Sequence, residues 1–238
     1  MTDISNSNKN VLREFCDSLK KKIDSNFICG AAYGSFLNKE SVDINKINFL
    51  IIVNFVDTNI LDDISKTLKE SKYRLDLLTL SIEDLKSSTD VFPIKFLNIK
   101  RNYLLIHGED VLGDLEISDK YLRLRTEQEL KNLMLRLRRS YILCESNKNR
   151  IISLINLAYN NLTRLLNIVI ELRSGKCENL STQDMMKLIK SYDIDVGTID
   201  EVANFRNDKY PNDLLTLKSL LSRLMKCVRD TAKFVDNL

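Results

Sequence analysis

Two neighbouring segments near the N-terminal end hold the side chains best suited to bind a phosphate. Gly34-Ser35 follows an apolar run, and ten residues separate Ser35 from Lys46-Ile47-Asn48. A Gly-Ser turn can present backbone N–H groups and a hydroxyl to a phosphate. The lysine side chain adds a positive charge, which attracts a negatively charged phosphate group. The spacing therefore predicts a phosphate-binding turn between two strands, with Gly34 and Ser35 as the binding residues.

The segment after this turn, Ile47 to Val56, is rich in β-branched and aromatic residues and predicts a buried central strand. Side chains alternate between the two faces of a strand, so Lys46 and Asn48 share one face. A further strand is predicted from Arg74 to Leu80, and it carries Asp76.

This arrangement resembles the nucleotidyltransferase superfamily with the polymerase-β-type fold. The motif of that superfamily is an apolar residue, Gly-Ser or Gly-Gly, a short spacer, and then Asp-x-Asp or Asp-x-Glu within a strand. Tyr33-Gly34-Ser35 matches the first half, and the spacing to Lys46-Ile47-Asn48 matches the second. Two later segments, Asp90 to Lys100 and Leu104 to Leu112, resemble a bacterial group of the superfamily in which a helical domain follows.

The resemblance implies a site in which the Gly-Ser turn holds the phosphates of a nucleoside triphosphate. Two strand carboxylates and a third on a later strand would bind two Mg²⁺ ions for attack on the α-phosphate. Lys46 and Asn48 stand at the first two positions, and Asp76 falls where the third is expected. A lysine repels a cation: two like charges about 4 Å apart interact by about 4 kcal/mol at an effective dielectric of about 20. The resemblance thus implies a degenerate catalytic site at Lys46, Asn48 and Asp76, with Asp76 as the remaining metal ligand and Mg²⁺ poorly held.

Three functions are compatible with the sequence. In the first, the protein is nucleotidyltransferase-like but catalytically impaired, and binds a nucleotide or a partner in the cleft between two domains. In the second, it is an active metal-dependent enzyme that transfers a nucleoside monophosphate from a nucleoside triphosphate to a hydroxyl acceptor. In the third, it is a structural or interaction module. The residues at positions 46 and 48 favour the first.

Hydrophobic periodicity predicts an α+β domain over residues 1–118, with a small mixed sheet and flanking helices. An amphipathic helix over residues 8–23 precedes strands at 27–33, 47–56, 74–80 and 103–106. Asp57 is predicted to cap a helix after the second strand, and Ser81 with Asp84 forms a capping-box pattern. Phe92-Pro93 predicts a break in the chain.

Residues 119–238 predict an all-α helical bundle. The expected helices cover 119–145, 149–174, 181–191, 198–207 and 212–237. Gly175 predicts the end of the second helix, and Asn212 the cap of the last. Ser181 with Asp184 and Thr198 with Glu201 are further capping-box patterns. We expect this domain to form one wall of a substrate cleft or a surface for homodimerisation.

Composition limits the classes of protein that the chain can belong to. Its 238 residues include only six Gly and two Pro, which disfavours a many-stranded β fold, and its single His excludes zinc sites that need two histidines. Residues 1–118 carry 15 basic and 18 acidic side chains, a net charge of −3, whereas residues 119–238 carry 21 and 15, a net charge of +6. This change in charge coincides with the predicted domain boundary.

The remaining features point to a cytoplasmic protein without a membrane span. The N-terminal residues are polar, and no apolar run reaches 18 residues. The five cysteines are scattered and predict buried, reduced thiols. Arginines at 123, 125, 136, 138 and 139 form a basic helix face, which we interpret as solvated and partly paired with Glu127 and Glu129. Nucleic acid is therefore not an expected partner, whereas a nucleotide is.

Overall fold

The computed structural model describes residues 6–34, 47–71, 75–175, 182–192, 194–207, 210, 211 and 213–238. The chain divides into two compact units, Met1–Ser118 and Asp119–Leu238. The first contains four strands and four α-helices in its described residues, and the second contains helices. The predicted α+β class, with a small mixed sheet followed by a helical part, is confirmed. No helix in the described part of the chain combines the length and the hydrophobicity that crossing a bilayer requires.

The first unit begins with helix α1 and continues with two paired strands. The bounds of its elements are α1 Asn6–Ile23, β1 Phe27–Tyr33, β2 Asn48–Val53, α2 Thr58–Glu70, β3 Asp76–Ser81, α3 Ile82–Ser87, α4 Pro93–Arg101 and β4 Tyr103–Gly108. The strands lie in the order β3-β2-β1-β4. Strand β1 is antiparallel to both β2 and β4, and β2 is parallel to β3, so the sheet is mixed.

Helices cover both faces of this sheet. Residues of α1 and α2 pack with Phe49, Ile51 and Val53 of β2 on one face. Residues of α3 and α4, with Leu112 and Leu115, pack with the alternate side chains of β2 on the other face. From Phe49 to Val53 every β2 side chain is fully buried, as the sequence predicts for a central strand. The apolar run is continuous because neither face of β2 meets solvent.

One helix of this unit is absent from the sequence-based assignment. Phe92-Pro93 predicts a chain break, but Pro93 instead occupies the first turn of α4. Proline is favourable there because the first N–H groups of a helix have no intrahelical acceptor. By contrast, the predicted caps are confirmed: Asp57 accepts a hydrogen bond from the N–H of Ile60, and Ser81 with Asp84 forms both bonds of a capping box.

The second unit contains three long helices and two shorter ones among its described residues. Their bounds are α5 Asp119–Ile142, α6 Lys148–Ser174, α7 Thr182–Ile189, α8 Val196–Asn207 and α9 Leu214–Asp236. Helix α6 ends at Gly175, which has the left-handed conformation that the sequence predicts for it. Leu122, Leu130, Leu133 and Leu137 form the buried face of α5, whereas Tyr141 is exposed.

Two predicted helix caps in this unit are wrong. Thr198 lies inside α8, and the side chain of Asp195 accepts hydrogen bonds from its N–H and its hydroxyl. Aspartate caps as well as threonine does, and here it precedes the threonine by three residues. The cap of α9 is Asp213 rather than Asn212, which lies outside the described residues, as does Ser181.

Two glycines in the first unit allow chain segments to approach closely. A methyl group at Gly30 would lie 2.6 Å from Cys16 Sγ, so the thiol of α1 fills the space that a side chain on β1 would take. A methyl group at Gly108 would lie 2.0 Å from the carbonyl oxygen of Ile28, and Gly108 has a φ of +93°. That carbonyl accepts a hydrogen bond from the N–H of Glu109. Neither position leaves room for a side chain.

The contacts of Gly108 predict a large loss of stability on substitution. Gly108→Ala adds backbone strain of about 1–3 kcal/mol and a clash with backbone of similar cost. We expect the free energy of unfolding to fall by about 3 kcal/mol in urea denaturation. Gly175→Ala is the matched control, because Gly175 also has a positive φ but no atom within 4 Å of the added methyl group. Its expected cost is about 1 kcal/mol, and equal losses in both variants would contradict the prediction.

Candidate functional site

Four polar side chains form one row across the sheet at the end where β2 and β3 begin. Asp76 of β3 pairs with Asn48 of β2, Asn48 pairs with Tyr33 of β1, and Tyr33 pairs with Tyr103 of β4. Residues that pair directly across strands point to the same face of a sheet. Tyr33 and Tyr103 pack against the apolar cluster on the α3 and α4 side. We call these four residues the cross-strand row.

The structure brings two of the predicted site residues, Asn48 and Asp76, side by side. Asn48 is half-buried and Asp76 is exposed. Asn48 and Asp76 are the first residues of β2 and β3. Because the two strands are parallel, both side chains lie at the same end of the sheet. Ser35 and Lys46 lie outside the described residues. The amide and the carboxylate that the sequence places on separate strands therefore belong to one surface.

Gly34 follows the row directly and turns the chain away from β1. Its φ is 120°, in the region where glycine is favoured because it has no Cβ. This conformation agrees with the tight turn that the sequence predicts. However, the N–H of Gly34 donates to the carbonyl oxygen of Asn102 at 2.9 Å. This N–H therefore closes the sheet against the end of α4 and is already occupied by that carbonyl group.

Asp76 influences the electrostatics of the row beyond its nearest neighbour. Burial raises the pKa of Tyr33, and the negative charge of Asp76 raises it further. A carboxylate disfavours a second negative charge nearby, so the phenol stays protonated. The row therefore presents one negative charge, one neutral amide and a protonated phenol at the Asp76 end.

At its other end the row is fixed by Asp110, a residue that the sequence reasoning missed. The hydroxyl of Tyr103 donates to both carboxylate oxygens of Asp110, at 2.9 and 2.7 Å. The same carboxylate accepts the N–H groups of Leu112 and Gly113 at 3.2 and 3.1 Å. The available signal was an aspartate three residues before a glycine, which is typical of a turn closed by the aspartate side chain.

The Tyr103–Asp110 contact shifts the pKa of both partners in opposite directions. Burial, followed by the hydrogen bond to Asp110, raises the pKa of Tyr103 to about 12. Burial alone would raise the pKa of Asp110, but the bonds from Tyr103, Gly113 and Leu112 together lower it. The contact thus holds a neutral phenol against an ionised carboxylate.

The described residues of the row do not fit a two-Mg²⁺ centre. Mg²⁺ binds hard oxygen ligands, chiefly carboxylates, and two-metal centres hold their ions about 3.5–4 Å apart. At the starts of β2 and β3 only Asp76 is a carboxylate, and Asn48 contributes a neutral oxygen. Among the described residues, no three His, Cys, Asp or Glu side chains are grouped closely enough to hold a metal ion.

Of three comparisons with known proteins, the one with solved structures finds similarities. A comparison with protein-family models and one with curated protein sequences each find no match. Among solved structures the chain is similar to spectinomycin adenyltransferase from Enterococcus faecialis, determined with ATP and spectinomycin. The match covers 93% of this chain and 99% of the other, with a TM-score of 0.48 and 12% sequence identity. A TM-score below 0.5 at this identity establishes neither a shared fold nor a shared activity.

The Tyr103–Asp110 contact predicts a pH-dependent loss of stability when its hydroxyl is removed. Tyr103→Phe should lower the free energy of unfolding by about 1 kcal/mol at pH 7, since the acceptor is charged but largely solvated. The lowered pKa of Asp110 means that its carboxylate favours the folded state. This stabilisation is present above the ordinary pKa of an aspartate and disappears as the pH falls through the lowered value.

Urea denaturation at several pH values measures this effect. The difference between the wild type and Tyr103→Phe should shrink as the pH falls from 7 towards 2. Tyr141→Phe is the control, because Tyr141 is exposed on α5, and its cost should stay within about 0.5 kcal/mol. A difference that stays constant over this pH range would contradict the role assigned to Asp110.

Proposed function

We propose that the first unit is a nucleotidyltransferase-like domain that binds a nucleoside triphosphate and is catalytically impaired. The observation that carries the proposal is the parallel pairing of Asn48 with Asp76. It supports a site at the starts of β2 and β3, where the resemblance implies catalytic acids. One of these two positions holds an amide.

The roles of the residues follow from their chemistry. Gly34 provides the turn, because few other residues adopt its φ of 120°. Its N–H is engaged by Asn102, so the phosphate contacts are left to the hydroxyl of Ser35 and the ammonium group of Lys46. Asn48 offers both a donor and an acceptor, and Asp76 carries the negative charge. Lysine binds phosphate as a point charge and requires no metal.

The same residues explain the impairment. Transfer of a nucleoside monophosphate needs metal ions that stabilise both the attacking and the leaving oxygen. Replacing an acid by Lys46 changes attraction of a cation into repulsion, and Asn48 removes a second negative charge. Asp76 is then the single carboxylate of the three catalytic positions. Binding without efficient transfer is the outcome that this set of side chains favours.

Our first prediction for this site concerns magnesium. Because two of the three carboxylates are replaced, Mg²⁺ should change the affinity for ATP by less than about twofold. Isothermal titration of the full chain with ATP, once with Mg²⁺ and once with EDTA, measures this ratio. A tenfold gain with Mg²⁺ in the wild type would favour an active metal-dependent enzyme, and release of pyrophosphate with any hydroxyl acceptor would do the same.

A double variant tests whether positions 46 and 48 cause the metal independence. Lys46→Asp/Asn48→Asp restores both acids and should make ATP affinity rise at least about tenfold with Mg²⁺. The control is Lys120→Asp/Asn132→Asp, which makes the same changes of residue type at exposed positions of α5. Metal dependence in both double variants would indicate a general charge effect instead.

A second prediction distinguishes a metal-free site from a metal-dependent one by whether removing the charge of Asp76 strengthens or weakens ATP binding. Without a metal ion, Asp76 repels the triphosphate, so Asp76→Asn should tighten ATP binding by about two- to fivefold at low salt. If Asp76 held a cation that binds the phosphates, the same change would weaken binding. The control Asp62→Asn removes an exposed carboxylate on α2, whose helix packs on the opposite face of the sheet. Weaker ATP binding by Asp76→Asn alone would contradict the proposal.

A further inference from the structure

A groove in the second unit runs between α5 and α9. The two helices are antiparallel, since Arg123 near the start of α5 donates to the carbonyl oxygen of Val235 near the end of α9. Lys218 near the start of α9 donates to Ser146, just beyond α5. The groove has a volume of about 290 Å³. Its size falls at the lower end of the range of small-molecule sites.

Four cationic side chains line this groove. Arg138 comes from α5, and Arg223, Lys226 and Arg229 follow one another at intervals of three residues on α9. No carboxylate is among the described lining residues. Four positive charges around one small concave surface repel one another, and an anion in the groove would relieve that repulsion.

The four cations of the groove differ in whether they form ion pairs. The arginines at the start of α5 are paired, Arg123 with Glu127 and Arg125 with Glu129. In contrast, neither Arg138 nor Lys226 forms an ion pair with any residue that the structure describes. They line the same groove from different helices, so one ligand in the groove could contact both.

Arg223 is held in place by a network that starts at the cap of α8. Its guanidinium contacts Glu201 at 2.6 Å and the hydroxyl of Thr198 at 3.3 Å. The same hydroxyl donates to Asp195 at 2.6 Å. A guanidinium fixed in this way loses little side-chain entropy when it binds a phosphate with its remaining N–H groups. The Nε of the fourth cation, Arg229, lies 4.0 Å from a carboxylate oxygen of Asp230.

The remaining lining residues indicate the chemistry and the size of the ligand. Met134 and Met225 provide a flexible apolar surface, and the described lining residues include no aromatic ring on which a nucleic-acid base could stack. A second, smaller groove of about 170 Å³ shares Met134 and Arg229 and includes the carboxylate of Asp236. That second groove also contains Lys131 and Lys233, so its charge does not limit the length of the ligand. The volume of the first groove, about 290 Å³, is what favours a short anion.

We propose that the groove between α5 and α9 binds a small phosphorylated ligand with at least two negative charges, whose organic part packs against Met134 and Met225. This site is separate from the cross-strand row and does not depend on the function proposed for it. The phosphates lie between Arg138 and Lys226, with Arg223 as the fixed donor. Phosphate chemistry is favoured because arginine donates two parallel hydrogen bonds to phosphate oxygens.

Methionine methyl groups provide a local measurement of binding. The chain has five methionines, of which Met134 and Met225 line the groove and Met185 and Met186 lie on α7. Titration of the methyl-labelled full chain with ATP, without metal, should shift the signals of Met134 and Met225 and leave those of α7 unchanged. Tripolyphosphate, which has the charges but no organic part, should bind more weakly and shift the two signals less.

Paired variants test the assignment of the cations. Arg138→Ala/Lys226→Ala removes two exposed side chains without ion pairs, so the fold should be retained, and ATP affinity at the groove should fall at least about tenfold. Arg136→Ala/Arg139→Ala removes the same number of charges from exposed positions of α5 outside the groove. Its affinity should stay within about twofold of the wild type.

Three results would overturn the proposal. Equal losses in both double variants would show general charge attraction rather than a site. No shift of the Met134 and Met225 signals at millimolar ATP would show that the groove does not bind the ligand. A short single-stranded oligonucleotide that displaces ATP at lower concentration would assign the surface to nucleic acid. These results are distinguished from failure of the function proposed for the first unit, because the Met134 and Met225 signals report on the groove, whereas Asp76→Asn and Lys46→Asp/Asn48→Asp leave the groove unchanged.

Discussion

The arrangement of the first unit depends on the burial of β2 on both of its faces. Phe49, Ile51 and Val53 pack under α1 and α2, while Leu50 and Ile52 pack under the helices of the opposite face. A shift of one residue would exchange these two sets of side chains, and β2 holds five consecutive side chains that are fully buried. The register of the strand is therefore fixed by packing. Asn48 is carried to its place beside Asp76 and Tyr33 as a consequence of that register.

This dependence explains which parts of the fold could be predicted from the sequence. The strand from Phe27 to Tyr33 and the buried strand after residue 47 follow from hydrophobic runs, which reflect local burial. Helix α4 was not predicted because a Phe-Pro pair can mark either a break in the chain or the first turn of a helix. Here the packing of Phe96 and Ile99 against the sheet favours the helix. The prediction of the α8 cap was wrong for a related reason: the side chains of both Asp195 and Thr198 can cap a helix, and the sequence does not show which of them does.

The candidate site could be predicted only in part. The pairing of Asn48 with Asp76 depends on a parallel ladder between strands separated by a helix, which no short sequence pattern specifies. Asp110 contacts Tyr103 because the chain returns after β4, and the sequence contains only a weak turn signal for it. The positive φ of Gly34 agrees with the predicted use of a glycine at this position, but no sequence pattern indicates that its N–H donates to the carbonyl group of Asn102, about 70 residues later in the chain. Charge counts alone also gave no sign that Arg138 and Lys226 face one groove.

The thiol of Cys16, which fills the space beside Gly30, is protected by burial from reagents that attack thiolates. Burial raises the pKa of Cys16 to about 12, and it does the same for Cys29 and Cys227. At neutral pH almost none of these groups is a thiolate, and the thiolate is the form that oxidants and alkylating reagents attack. Oxygen atoms added to Cys16 would also have no space, because the sulfur already packs against β1. These three cysteines thus behave as small apolar side chains, and each should react with an oxidant more slowly in the folded state than in the unfolded chain.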